Sequence, residues 1–138
     1  MPTRDSEASH PGTIQILLVD DHPHVRQLLR ETIQTYDDLS IVGEAVNGEE
    51  AVLLAAKLKP AAVVMDIHLP VLSGVPATTL IKINNPFIAV IGLTAGDPRE
   101  DEKAMFIAGA AAVLNKSDVV HALYPAIIAA VKGVKNPV

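Results

Sequence analysis

The sequence predicts an α/β domain built on a doubly wound, five-stranded parallel sheet with helices on both faces. Five apolar, Val-, Ile- and Leu-rich runs alternate along the chain with segments whose apolar residues recur at helical spacing. Each crossover between parallel strands is right-handed and needs a helix, and the order 2-1-3-4-5 is one of two common arrangements. The third run, residues 61–65, is apolar throughout, which is typical of a strand in the middle of such a sheet.

The strands are predicted where these apolar runs end on polar residues or turn signals. They cover residues 14–19, 39–45, 61–65, 87–93 and 111–114. Ligands bind beyond the carboxyl ends of the strands in this fold class. The predicted order brings four of these ends together, and the polar residues found there are Asp20, Asp21, Asp66, Thr94 and Lys116.

The intervening segments carry helix start and stop signals. Pro23 fits the first position of the first helix, and Asn47 can cap the second, with Glu50 three residues on. Asp97 can cap the fourth helix and Ser117 the last. Pro125 should kink that last helix or leave carbonyl groups unpaired. The helices are predicted at about residues 23–36, 48–58, 75–83, 98–108 and 118–131.

Composition narrows the possible functions. The 138 residues include no cysteine, which leaves out disulfides and thiolate metal sites and is compatible with a cytoplasmic location. A net charge of −5 and only four aromatic residues, two Phe and two Tyr, argue against direct nucleic-acid binding. No apolar run approaches the roughly 20 residues of a membrane span. Residues 1–13 are predicted to be a disordered tail, 14–132 one domain, and 133–138 a short C-terminal tail.

The three carboxylates at the predicted sheet edge suggest a metal site. Asp20, Asp21 and Asp66 would repel one another unless a cation lay among them. Ligands that offer only oxygen favour Mg²⁺, which keeps water molecules that a phosphate can replace. The alternative is that each residue is an ordinary acid in a turn or before a helix.

The other strand-end residues suggest phosphoryl transfer. A carboxylate such as Asp66 can attack a phosphoryl group and form an aspartyl phosphate. Lys116 could pair with the phosphoryl oxygens, while the Thr94 hydroxyl and the Ala95 amide could donate to them. Thr94 could instead be a turn former and Lys116 an exposed lysine. Their coincidence at the ends of four separate strands favours the functional interpretation.

Taken together, these motifs resemble the response-regulator receiver domain of two-component signalling. The resemblance covers roughly residues 14–131 and implies a flavodoxin-like fold. The matching stretches are Val19–Pro23, Met65–Pro70 with Gly74, Thr94 with Ala95, and Asn115 with Lys116.

By this resemblance, Asp66 accepts a phosphoryl group from a sensor histidine kinase or phosphotransfer protein. The protein would catalyse its own phosphorylation and dephosphorylation without being a turnover enzyme. Phosphorylation would switch a partner-binding surface at the fourth helix, fifth strand and fifth helix, where a homodimer could form. The implied site residues are Asp20, Asp21, Asp66 and the His68 backbone carbonyl for Mg²⁺, Thr94 as the switch hydroxyl, Lys116 as the phosphate-pairing lysine, and the Ala95 amide for phosphate.

Two positions depart from the common pattern of the family. Many receivers carry an aromatic residue three positions before the lysine, where this chain has Val113, and proline after it, where this chain has Ser117. The sequence is nearer to receivers of LuxR-type helix-turn-helix regulators. The His68 ring is expected to overhang the mouth of the pocket, and His22, His24 and His121 are expected at the surface.

Three other functions fit the sequence less well. A haloacid-dehalogenase-type phosphatase needs a second aspartate two residues after the nucleophile, where this chain has His68. A flavin or nucleotide binder of the same topology needs a glycine-rich loop after the first strand, where this chain has Asp20 to Pro23. An unphosphorylated scaffold would be expected to have lost one of the acids or the lysine, and none is lost.

Overall fold

The computed structural model describes residues 12–96 and 98–134, and it has alternating strands and helices throughout. Asp97 and His10, together with most of both predicted tails, lie outside the described residues. The tail and domain boundaries therefore stay predictions. The strands are β1 (Ile14–Val19), β2 (Leu39–Ala45), β3 (Ala62–Asp66), β4 (Ala89–Thr94) and β5 (Ala112–Asn115). The helices are α1 (Pro23–Gln34), α2 (Gly48–Leu58), α3 (Gly74–Asn84), α4 (Pro98–Ala108) and α5 (Val119–Gly133), preceded by a 3₁₀ turn (Lys116–Asp118).

The sheet is parallel with the order β2-β1-β3-β4-β5, which confirms the predicted topology. Its register aligns Val19 with Met65, and Thr94 with Asn115. The carboxyl ends of β1, β3, β4 and β5 therefore reach one edge together. This alignment gathers side chains that are far apart in sequence.

Two hydrophobic clusters cover the two faces of the sheet. Alternate strand residues point to opposite faces, so Val63 and Met65 belong to one cluster and Val64 to the other. The first cluster includes buried residues of α2, α3 and α4, and the second includes residues of α1 and α5. Every residue of β3 is buried, as its unbroken apolar run predicts. The predicted helices on both faces are confirmed.

The loop after β3 is packed closely against that strand by a glycine. A Cβ atom on Gly74 would lie 2.7 Å from the Ile67 Cα and 2.9 Å from the Asp66 carbonyl oxygen. The Gly74 amide also donates to the Ile67 carbonyl at 2.7 Å. Only a residue without a side chain fits here, so Gly74 fixes the path of the loop beside Asp66.

Several helix caps and strand ends can be compared with their predictions. Asn47 caps α2 as predicted, since its side chain accepts a hydrogen bond from the Glu50 amide at 2.8 Å. Strand β4 begins at Ala89, two residues later than predicted, because Phe87 lies half exposed in the turn before it. Pro125 lies on an exposed position inside α5.

The prediction that Ser117 caps the last helix is wrong. Both the amide and the hydroxyl of Ser117 donate to the Asn115 side chain, at 2.9 and 2.8 Å. Asn115 thereby caps a 3₁₀ turn that contains Lys116, and α5 begins only after Asp118. This turn sets the direction in which Lys116 leaves the sheet edge. Among the described residues, no helix has the length and apolar character needed to cross a membrane.

Candidate functional site

Asp66 lies at the centre of the candidate site, at the carboxyl end of β3. Asp66 is only 3% exposed to solvent. The Oδ1 atom accepts a hydrogen bond from the His68 amide at 2.9 Å, and Oδ2 accepts one from Lys116 Nζ at 3.0 Å. Both oxygens of the carboxylate are thus held by donors, one from the loop after β3 and one from the 3₁₀ turn after β5. The carboxylate is oriented before any ligand binds.

Lys116 links two buried carboxylates. Its Nζ lies 2.9 Å from Asp20 Oδ2 as well as 3.0 Å from Asp66 Oδ2. Burial by itself lowers the pKa of Lys116, but hydrogen bonds and Coulomb attraction to Asp20 and Asp66 outweigh it, so the pKa is raised above its ordinary value. The ammonium group therefore stays charged and neutralises part of the acidic cluster.

Asp20 and Asp21 form an acidic corner directly after β1. Asp20 is fully buried, and its Oδ1 accepts from the His22 amide at 2.8 Å. The Arg26 guanidinium donates to the Asp20 carbonyl at 2.6 Å and so holds the backbone of this corner from helix α1. Asp21 is partly exposed.

The side chain of His22 is exposed to solvent and also contacts both aspartates of this corner. Its ring is 61% exposed, as expected from the sequence, but Nδ1 lies 3.0 Å from Asp20 Oδ1 and 3.2 Å from Asp21 Oδ1. Sequence reasoning missed this contact, although the position of His22 immediately after the acidic pair is a usable signal. The ring partly covers the acidic corner from the solvent side.

The donor set at this corner fits a divalent cation. Single ligand atoms of Asp20, Asp21, His22 and Asp66 all lie within 4.8 Å of one another. Asp20 Oδ2 and Asp21 Oδ1 are buried, and each is near one charged or ring nitrogen: Lys116 Nζ lies 2.9 Å from Asp20 Oδ2, and His22 Nδ1 lies 3.2 Å from Asp21 Oδ1. Buried carboxylate oxygens with unused lone pairs are suitable ligands for Mg²⁺.

Thr94 ends β4 at the same edge and is fully buried. Its hydroxyl donates to Asp101 Oδ2 at 3.1 Å and accepts from the Gly96 amide at 3.3 Å. Ala95, the next residue, is exposed. The hydroxyl of Thr94 is therefore at the edge that the sequence predicts, but it is bonded to helix α4 instead of to the Asp66 cluster.

The His68 side chain is also bonded to helix α4. Its ring is 67% exposed, and Nε2 lies 2.9 Å from Asp101 Oδ2. This exposure is consistent with the expectation that the ring overhangs the mouth of the pocket, and that position stays a prediction. Asp101 was not singled out from the sequence, because acids are common in the first turn of a helix and nothing local marks this one.

The fold and the site define a class of signalling protein. The family model for the response regulator receiver domain matches residues 16–127, and the chain belongs to this family. It is a receiver domain of the kind found in two-component systems.

Individual relatives agree with this assignment. The chain is 35% identical over 114 residues to the response regulator GacA of Pseudomonas protegens, covering 83% of this chain and 54% of that protein. It is 46% identical over 74 residues to a protein-glutamate methylesterase/protein-glutamine glutaminase of Shewanella denitrificans, covering 54% of this chain and 19% of that protein. The crystal structure of a LuxR-family two-component response regulator from Aurantimonas sp. SI85-9A1 is 34% identical, with a TM-score of 0.83 and coverage of 88% and 86% of the two chains.

Proposed function

We propose that this receiver domain accepts a phosphoryl group on Asp66 from the phosphohistidine of a sensor kinase or phosphotransfer protein, with Mg²⁺ in the acidic corner. The observation that carries the proposal is the position of Lys116, whose ammonium group contacts both Asp20 and Asp66. A cation held against the acceptor carboxylate is suited to neutralise the charge of an incoming phosphoryl group.

The chemistry follows from the contacts of the acceptor. An oxygen of the Asp66 carboxylate attacks phosphorus, the bond from phosphorus to the donor nitrogen breaks, and the electron pair of that bond leaves with the imidazole. Lys116 Nζ and the His68 amide already contact the two Asp66 oxygens, and either can pair with the oxygens of the transferred group. Asp20, Asp21 and Asp66 would hold Mg²⁺, with the His68 backbone carbonyl as a further ligand. When bound, Mg²⁺ supplies positive charge that stabilises the phosphoryl oxygens.

The phosphorylated state would differ from the resting state in charge and in hydrogen bonding. A phosphoryl group adds negative charge and strong acceptor oxygens. The Thr94 hydroxyl and the Ala95 amide would donate to them, and the loops after β4 and β5 would change shape. Hydrolysis of the aspartyl phosphate returns the protein to its resting state, so the domain works as a reversible switch and does not turn over a separate substrate.

This proposal is tested by incubating the purified protein with acetyl phosphate and Mg²⁺ and measuring its intact mass. We expect the mass of one phosphoryl group to be added, and we expect no addition when EDTA replaces Mg²⁺. Peptide mapping after borohydride trapping should place the modification on Asp66. An unchanged mass in the presence of Mg²⁺ would overturn the proposal.

The partner surface is proposed to include helix α4, β5 and helix α5. Three apolar side chains on these helices are exposed, namely Phe106 by 47%, Ile107 by 78% and Val120 by 51%. Where exposed apolar side chains form one continuous patch, that patch marks a surface that binds another protein. Phosphorylation that moves α4 would change this surface and could favour a homodimer.

Replacing Ile107 by arginine should weaken such a dimer. We expect light scattering to show a larger molar mass for the beryllofluoride-activated protein than for the untreated protein, and at least a tenfold weaker association in Ile107→Arg. The matched control is Ile83→Arg, since Ile83 is 71% exposed but lies on α3. Equal association of both variants would exclude Ile107 from the dimer contact.

A further inference from the structure

The Asp101 carboxylate joins three parts of the site through a single oxygen. Its Oδ2 accepts the hydrogen bond from Thr94 Oγ1 at 3.1 Å and lies 2.9 Å from His68 Nε2. Thr94 ends β4, His68 follows β3, and Asp101 lies in the first turn of α4. Helix α4 is therefore connected to the end of β4 and to the loop after β3.

The bond to Asp101 uses the only proton that the Thr94 hydroxyl can donate. A threonine hydroxyl has one donor hydrogen and two acceptor lone pairs. In this structure the donor hydrogen is directed to Asp101, and one lone pair accepts from the Gly96 amide. Thr94 cannot donate to an oxygen on Asp66 while this arrangement lasts. The bond to Asp101 must break first.

We propose that Asp101 is a positioning residue that holds the Thr94 hydroxyl in its resting orientation and so opposes its use on the phosphoryl group. This inference rests on the proposed function, because it concerns the hydroxyl that the phosphorylated acceptor would engage. A carboxylate is a strong acceptor, since hydrogen bonds to ionised groups are shorter and stronger than those between neutral groups. Asp101 thereby contributes to the free energy needed to move the Thr94 hydroxyl from its resting orientation to the phosphoryl group.

The same carboxylate relates the acceptor to the proposed partner surface. A phosphoryl group on Asp66 competes with Asp101 for the Thr94 proton and adds negative charge near the acceptor. Asp101 has two partners at the sheet edge, Thr94 and His68. Once the Thr94 hydroxyl has turned away, only the contact with His68 remains. Helix α4 then loses one of its ties to the site. The proposed movement of α4 therefore begins with the loss of the Thr94 bond.

The inference is tested with Asp101→Ala, using beryllofluoride with Mg²⁺ as the phosphoryl mimic and calorimetry to measure its affinity. We expect about fivefold tighter binding in Asp101→Ala, because a net hydrogen bond to a partly exposed charged acceptor no longer opposes activation. Glu102→Ala is the matched control. It removes a carboxylate at the next position of the same helix, and its affinity should stay within about twofold of the wild type.

A double-mutant cycle shows whether Asp101 acts through Thr94. In a Thr94→Ala background, Asp101→Ala should give no further tightening, because no hydroxyl remains to be released. In a Thr94→Ser background, which restores a hydroxyl, the tightening should return. Full tightening in the Thr94→Ala background would overturn the inference, since Asp101 would then act through its charge alone.

The experiment separates the failure of this inference from the failure of the proposed function. If the wild type binds no beryllofluoride with Mg²⁺, the proposed function is overturned. If the wild type binds it and Asp101→Ala behaves like Glu102→Ala, only the role of Asp101 is overturned. Circular dichroism checks the fold of each variant. Asp101→Asn, which keeps the shape of the side chain, should shift the affinity in the same direction by a smaller factor.

Discussion

Asp66→Asn is expected to abolish phosphorylation by acetyl phosphate while leaving the fold intact. The amide is almost the same size as the carboxylate, but it is neutral and a poor nucleophile toward phosphorus. We expect the rate of mass addition to fall at least a thousandfold, which brings it below detection in an intact-mass time course. Binding of beryllofluoride with Mg²⁺ should be lost as well.

Asp37→Asn provides the matched control for that variant. Asp37 is an exposed aspartate just before β2, so this change makes the same chemical replacement outside the site. It should be phosphorylated at the wild-type rate. Phosphorylation of Asp66→Asn at a comparable rate would show that another residue is the acceptor and would contradict the proposed function.

Lys116→Met is expected to lower the free energy of unfolding by about 3 kcal/mol at neutral pH in the absence of divalent cations, because it leaves two buried carboxylates without the ammonium group that neutralises them. Asp20 and Asp66 are both buried, and the Lys116 ammonium group contacts each of them. Urea unfolding followed by circular dichroism measures this loss. Adding Mg²⁺ should recover part of it, because a cation bound to the folded state stabilises that state.

A second substitution, Asp20→Asn, tests whether the loss of stability comes from the buried carboxylates. It removes one of the two carboxylates, so the double variant Asp20→Asn, Lys116→Met should be more stable than Lys116→Met alone. Lys57→Met, at an exposed position of α2, is the control and should change stability by less than about 0.5 kcal/mol. An equal loss in both lysine variants would contradict the role assigned to the Lys116 ion pairs.

The raised pKa of Lys116 predicts that the stabilities of the wild type and of Lys116→Met depend differently on pH in the alkaline range. The hydrogen bonds and charges of Asp20 and Asp66 raise this pKa against the opposing effect of burial. The resulting stability is fully present below the ordinary lysine pKa of 10.5 and is lost as pH rises through the higher folded-state value. Above about pH 10.5, wild type should lose this contribution. The free energy of unfolding of Lys116→Met should show no such decrease, because the titrating ammonium group is absent.

Position 113 is a valine in this chain, so the proposed switch has no aromatic side chain at this position. The position is a partly buried valine that packs against the hydrophobic cluster on the face of the sheet covered by α2, α3 and α4. A valine has no ring whose rotation could report the state of Thr94. The Thr94–Asp101 bond offers a different connection from the acceptor pocket to helix α4.

Much of the architecture can be predicted from the sequence because it depends on local patterns. The apolar run of β3, the Asn47 cap of α2 and the alternation of strands with helices each involve neighbouring residues. The prediction at Ser117 failed because Asn115, two residues earlier, is also a capping residue. Asn115 accepts both donors of Ser117, so the chain forms a 3₁₀ turn before α5. Only the folded chain shows which cap forms.

The sequence by itself determined which residues reach the carboxyl edge of the sheet, since four of the five predicted strands are followed directly by a polar residue and parallel strands end at the same edge. Only the tertiary structure decided how those residues pair. Lys116 contacts Asp66 across 50 positions of sequence, and Asp101 contacts His68 across 33. Such contacts depend on strand register, on the turn after β5 and on the rotation of α4. Strand register and the rotation of α4 are set by packing of the whole domain, and the turn depends on which of two nearby capping residues forms its hydrogen bonds.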